Sequence, residues 1–148
     1  MKKAFTLLEL IFVLILMGVL TGAAFYLYRS DVTKADAQYT LLKLKEARYK
    51  ALSYQSPNGS GVEGGCVTLT KNALSDNGSP TYEIKSGTIT TNTSTVCFDS
   101  LGRPHNGNST ALSTLLASDI NITFSKGTQS STITLYKQSG YAIIGCNN

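Results

Sequence analysis

A single carboxylate inside an apolar run constrains this chain more than any other feature. The first thirty residues read MKKAFTLLELIFVLILMGVLTGAAFYLYRS, and Glu9 sits within the run. A carboxylate in lipid costs roughly 2.5–3.5 kcal/mol at a helix centre. An anchor gains nothing from that cost, so Glu9 points to a helix that leaves lipid and meets a charged partner. Leu10 to Leu27 carries no charged side chain, and about 20 apolar residues cross a bilayer. The run therefore predicts a membrane-spanning segment. Lys2 and Lys3 favour a cytoplasmic N-terminus, because flanking cations are retained inside. The remainder then faces the periplasm or the exterior.

A secretory signal peptide also combines basic residues with an apolar core and a small-residue cleavage site, and Thr21-Gly22-Ala23-Ala24 offers one. Glu9 interrupts that pattern. The apolar run also continues through Phe25, Tyr26 and Leu27, past the small residues.

Ala4-Phe5-Thr6-Leu7-Leu8-Glu9-Leu10 resembles the processing site of type IV prepilins and type II secretion pseudopilins. The resemblance implies a leader of residues 1–4, cleaved after Ala4 by a prepilin peptidase that also methylates the new amine of Phe5. It implies Glu9 as the assembly glutamate at the fifth mature position. Ala4 stands where the family usually has Gly. Gly18 and Gly22 form a GxxxG pattern, which serves either as a close-packing helix face or as spacers.

From Asp31 to Gln55 there is no Gly or Pro, and Pro57-Asn58-Gly59 ends the pattern. Ala37, Leu41, Leu44, Ala51 and Leu52 recur at helical spacing. Arg48 joins that stripe, either with its head at the rim or paired with a carboxylate such as Asp99. Joined to the apolar run, this predicts one helix of roughly 50 residues, about 75 Å long.

Beyond Gly59 the period becomes two. Strands are expected at Cys66–Thr70, Tyr82–Lys85, Thr88–Thr90, Thr95–Phe98, Ile120–Phe124, Thr132–Tyr136 and Tyr141–Ile144. Leu112 to Ala117 reads as a short helix. The expected fold class is α+β and pilin-like: a long N-terminal helix, membrane-spanning in one half and amphipathic in the other, packed on an antiparallel β-sheet domain. The expected boundaries are 5–29 for the transmembrane and assembly half, and 30–148 for a periplasmic or extracellular domain. Within that domain, 31–55 is helix and 60–148 is β-rich.

Leu44-Lys45-Glu46-Ala47-Arg48-Tyr49-Lys50-Ala51-Leu52 and Phe98-Asp99-Ser100-Leu101-Gly102-Arg103-Pro104 resemble the helix end and the strand-turn of the GspH/FimT group of minor pilins and pseudopilins. The resemblance implies a structural subunit of a secretion or pilus filament. Its implied partners are other pilin subunits, the prepilin peptidase/N-methyltransferase and the inner membrane. The FimT-like branch adds an alternative, a DNA-binding subunit for DNA uptake, for which Lys126, Lys137 and Arg103 would supply cations.

Net charge is +4 with no long basic block, and two of those positives lie in the leader. That balance does not itself imply nucleic acid. Three cysteines in an exported domain suggest one disulfide and one leftover thiol. Cys97 with Cys146 is one pairing, Cys66 with Cys97 the other. There is no CxxC, and the one histidine, His105, lies in a polar stretch that reads as a solvated loop. No metal, cofactor or catalytic residue is expected. No nucleophile elbow or phosphate loop occurs, and a polar turn accounts for Asp99, Arg103 and His105.

Overall fold

The computed structural model describes residues 7–27, 31–53, 65–75 and 82–145, with side chains from 24 to 27 excepted. It contains α1 (Leu7–Leu27), α2 (Val32–Ser53), β1 (Cys66–Thr68), α3 (Lys71–Leu74), β2 (Thr88–Thr90), β3 (Thr95–Phe98), β4 (Pro104–Asn106), a 3-10 turn (Leu112–Thr114), β5 (Ile120–Lys126), β6 (Gln129–Leu135) and β7 (Ala142–Gly145). It divides into two compact units, 1–30 and 31–148.

The expected single helix with a membrane-spanning half is corrected. The chain forms two helices, and Asp31 starts the second. Its Oδ1 accepts hydrogen bonds from the Thr33 and Lys34 N–H groups at 3.1 and 3.2 Å and from the Thr33 hydroxyl at 2.7 Å. That is an N-cap, which satisfies donors that a continuous helix would not leave open. The Thr33 hydroxyl, followed by the two backbone bonds, holds the Asp31 carboxyl below its usual range. The described side chains of α1 run from Leu7 to Ala23, 17 residues (23 − 7 + 1). Among the described residues no helix is long and apolar enough to cross a membrane.

α1 is apolar all round, with exposed Leu10, Ile11, Phe12 and Val13 spread about its axis. In α2 the buried residues are Thr33, Asp36, Ala37, Thr40, Leu44, Ala47 and Ala51. They recur every three or four positions and define one face. Three alanines on that face let the helix lie close to its partners. Leu52, expected on the covered stripe, is 43% exposed.

β1, β3 and β4 form one antiparallel sheet; β2, β5, β6 and β7 form another, in the order β2-β5-β6-β7. α2 packs on strands of both. Strand alternation sends Ile120, Ile122, Phe124, Ile133, Leu135 and Ala142 inward, where they meet Ala37 and Leu44 in one core. Phe98 and Val96 of β3 complete it.

Tyr82–Lys85, expected as a strand, joins no sheet. Lys85 N–H turns instead to a helix side chain, described below, and Ile84 N–H donates to Ser75 Oγ at 3.3 Å. Leu112–Ala117 narrows to a single 3-10 turn. β4 and α3 arise in segments without strand or helix periodicity.

Candidate functional site

Of the processing and assembly residues expected from the sequence, Glu9 is the one described on α1. It lies in the first turn and is exposed. The processing residues Ala4 and Phe5 lie outside the described residues, as does Cys146. What α1 offers chemically is an apolar rod bearing one carboxylate. A helix apolar on every side requires cover on every side, and a carboxylate under that cover requires a cation. Gly18 and Gly22 leave open space beside the helix, with no atom within 4 Å of where a Cβ would stand.

The domain's disulfide joins Cys66 of β1 to Cys97 of β3. The two residues are directly paired in the ladder, with Cα atoms 3.9 Å apart. Phe98 N–H donates to Gly65 O and Leu69 N–H donates to Ser94 O. Cys66 and Cys97 therefore occupy a non-hydrogen-bonded pair, where opposed side chains approach most closely. Of the two pairings open from the sequence, this register selects the second.

Two buried carboxylates organise the loops. Asp36 on α2 is 1% exposed. It accepts the Tyr82 hydroxyl at 2.7 Å, Lys85 N–H at 2.9 Å, and the Ser86 N–H and hydroxyl at 2.6 and 2.7 Å. It thereby does for residues 82–86 what a neighbouring strand would do. Tyr82 stacks on Tyr39 with ring centroids 4.0 Å apart. Burial, then the Asp36 carboxylate, push the Tyr82 phenol well above its usual range, so it remains a donor.

Asp99 closes the β3–β4 connection. Its Oδ1 accepts Leu101 N–H and Arg103 N–H at 3.0 and 2.8 Å, and its Oδ2 accepts Arg103 Nε at 2.8 Å. Burial pushes the carboxyl up, but these bonds and that to His105 outweigh it and hold the carboxyl below its usual value. His105, expected in a solvated loop, is fully buried. Its Nε2 lies 3.3 Å from Asp99 Oδ2, and its Nδ1 lies 3.1 Å from both Ala111 O and Thr114 Oγ1. The ring thus ties β4 to the 3-10 turn. No solvent reaches it, so this grouping works as a structural knot. Arg48 does not pair with Asp99; its Nε donates to Ser139 O at 3.1 Å.

The structure does not bring the proposed DNA cations together. Lys126 ends β5 opposite Gln129, and Lys137 lies eight residues further along, roughly 26 Å in extended chain. Lys137 Nζ donates to Ala117 O at 2.7 Å, and Arg103 serves Asp99. Among the described residues no group of three or more His, Cys, Asp or Glu could hold a metal. No family model, curated protein or solved structure matches this chain significantly.

Proposed function

We propose that this chain is a structural subunit, a minor pilin or pseudopilin, of a type II secretion or type IV pilus filament. The observation that carries the reading is α1: a rod apolar on every side, interrupted by Glu9, and joined in sequence to a disulfide-bonded α+β unit. Sister helices in a filament core provide the all-round cover that such a rod requires. The disulfide fits an exported, oxidising setting such as the periplasm or the filament surface.

Cleavage after Ala4 would leave Phe5 with a cationic, methylated amine. Glu9 lies four residues along in the sequence. An incoming subunit's Glu9 then pairs with the amine of a neighbour already in place. In an apolar setting a carboxylate and a cation attract strongly, so one interaction sets both docking and axial register.

Two measurements test this. Intact-mass analysis of the chain from its native host gives a species that lacks residues 1–4 and carries one added methyl group. An N-terminus at Ala24 or Phe25 means an ordinary signal peptide and overturns the reading. Glu9→Gln keeps the domain folded, with the Cys66–Cys97 bond intact, but removes the protein from sheared filaments. Wild-type incorporation of Glu9→Gln refutes the pairing.

A further inference from the structure

The face of the four-stranded sheet opposite the core has an unusual composition. Ile120, Ile122, Phe124, Ile133 and Leu135 point inward, so the alternate residues point out. Along β2, β5 and β6 every outward position is Thr, Ser or Asn. Thr90, Thr123 and Thr132 form one row across three strands. Their hydroxyls form part of a lateral network: Thr123 and Thr132 Oγ1 are 3.0 Å apart, and the Thr134 hydroxyl donates to Asn121 at 3.0 Å. No Lys, Arg, Asp or Glu stands on the outward positions of the four strands.

One end of this field is aromatic. Tyr136 N–H donates to Tyr141 O at 2.9 Å, which extends the β6–β7 pairing by one row past Leu135 and Ala142. Leu135 and Ala142 are buried, so Tyr136 and Tyr141 both face out, 38% and 51% exposed. A cleft of about 310 Å³ opens beside Tyr136, lined by Asp119, Tyr136, Lys137, Gln138 and Ser139. Its two charged groups are engaged locally: Asp119 accepts Lys137 N–H at 2.9 Å, and Lys137 Nζ donates to Ala117 O.

We propose that this outer face, with the cleft at its tyrosine end, binds a neutral β-linked polysaccharide. Three features select that partner. The lack of formal charge on the strand face gives a polyanion nothing to pair with and favours a neutral ligand. Two exposed tyrosines on neighbouring strand positions offer apolar ring faces to the C–H surfaces of sugar rings while their hydroxyls stay wet. The Thr and Asn field offers both donors and acceptors at strand spacing, which suits the equatorial hydroxyls of an extended, ribbon-like glycan. The cleft volume lies at the lower end of the roughly 300–1,000 Å³ of small-molecule sites. It takes a terminal sugar, with Asp119, Gln138 and Ser139 as polar contacts. This inference does not depend on the filament reading.

The test uses the full chain in a polyoxyethylene detergent, which carries no sugar headgroup. The protein is sedimented with microcrystalline cellulose and with insoluble chitin, at low and high salt. The expected result is salt-insensitive retention on at least one of the two. Tyr136→Ala with Tyr141→Ala weakens it about tenfold or more, whereas Tyr136→Phe with Tyr141→Phe preserves it. Thr134→Lys, which places a charge in the hydroxyl field, also weakens it and covers the case in which the double alanine variant does not fold. Lys126→Ala leaves retention unchanged. No retention on either polymer overturns the proposal, as does retention that Thr134→Lys leaves intact. Retention only on a polyanion, lost with salt, assigns the face to charge-driven binding and overturns it. Self-association abolished by the tyrosine substitutions, without retention, makes the face a contact between copies and also overturns it.

Discussion

Gly140→Ala probes the tightest surroundings of any described glycine. Gly140 has φ +63, and a Cβ there would stand 2.1 Å from Gly102 O and 3.0 Å from the Phe98 ring. Ordinary contact begins near 3.4 Å, so the methyl intrudes by 1.3 Å (3.4 − 2.1) on a carbonyl that no side-chain rotation can move. Two turns must part: the one containing Gly102, fixed by Gly102 N–H donating to Asp99 O at 2.8 Å, and the one containing Ser139, held by Arg48. The left-handed backbone costs about 1–2 kcal/mol for alanine, overpacking about 1–3 kcal/mol, and a lost hydrogen bond about 1 kcal/mol. Together these give roughly 3–6 kcal/mol. For a unit of this size each kcal/mol lowers Tm by about 4 °C, so a fall of about 12–24 °C is expected. Gly127→Ala is the control. Gly127 has φ +60, but nothing lies within 4 Å of its Cβ position, so it loses only about 1–2 kcal/mol. Thermal melts followed by circular dichroism on the full chain in detergent compare the two. If both variants melt within about 3 °C of each other, the clash is not real and the two turns do not meet as described.

Other outcomes follow from the same geometry. Asp36→Ala leaves the donors from Tyr82, Lys85 and Ser86 without their shared acceptor, at about 3–5 kcal/mol; rapid amide exchange at Lys85 and Ser86 reports the release of that segment. Cys97→Ala opens a loop of sequence separation 31, worth about 4 kcal/mol by chain entropy, and the denaturant midpoint falls accordingly; an unchanged midpoint refutes the pairing. The Asp99 carboxyl is held below its ordinary value of 3.8. Its contribution is therefore complete above that pH and is lost as pH falls through the lower folded value. The stability gap between wild type and Asp99→Asn, measured by urea titration at several pH values, narrows below about 3.8; a gap constant with pH refutes the assignment.

The domain's main pattern was legible because it rests on local period. The alternation in Ile120–Phe124 and Thr132–Leu135 reflects one buried face and one wet one, and the sheet obeys it. What stayed hidden depended on distant partners. Tyr82–Lys85 alternates because Ile84 points into the core, yet Lys85 N–H goes to a carboxylate 49 positions away and Ile84 N–H to the Ser75 hydroxyl. His105 beside Pro104 and Asn106 has the letters of a solvated loop. Its burial comes from Asp99 and Thr114, which close around it only when β4 and the 3-10 turn meet. The helix boundary at Asp31 was open to a closer reading. The absence of Gly and Pro from Asp31 to Gln55 suggested continuity, but an Asp with its side chain on the N–H groups two and three residues on starts a helix without any breaker.

The candidate sites differ in legibility for a further reason. Glu9 is visible because a charge among apolar letters is conspicuous without any structure. The outer face of the sheet is the opposite case. Thr88-Ile89-Thr90 and Thr132-Ile133-Thr134 look like ordinary half-buried strands, and nothing in either marks it as part of a surface. Only the register places Thr90 beside Thr123 and Thr123 beside Thr132, and only the extra row past Leu135 sets Tyr136 next to Tyr141. A site made of neutral side chains at strand spacing carries no signal in any one segment. It emerges from pairing, just as the Cys66–Cys97 bond does, and both rest on registers that a single segment does not encode.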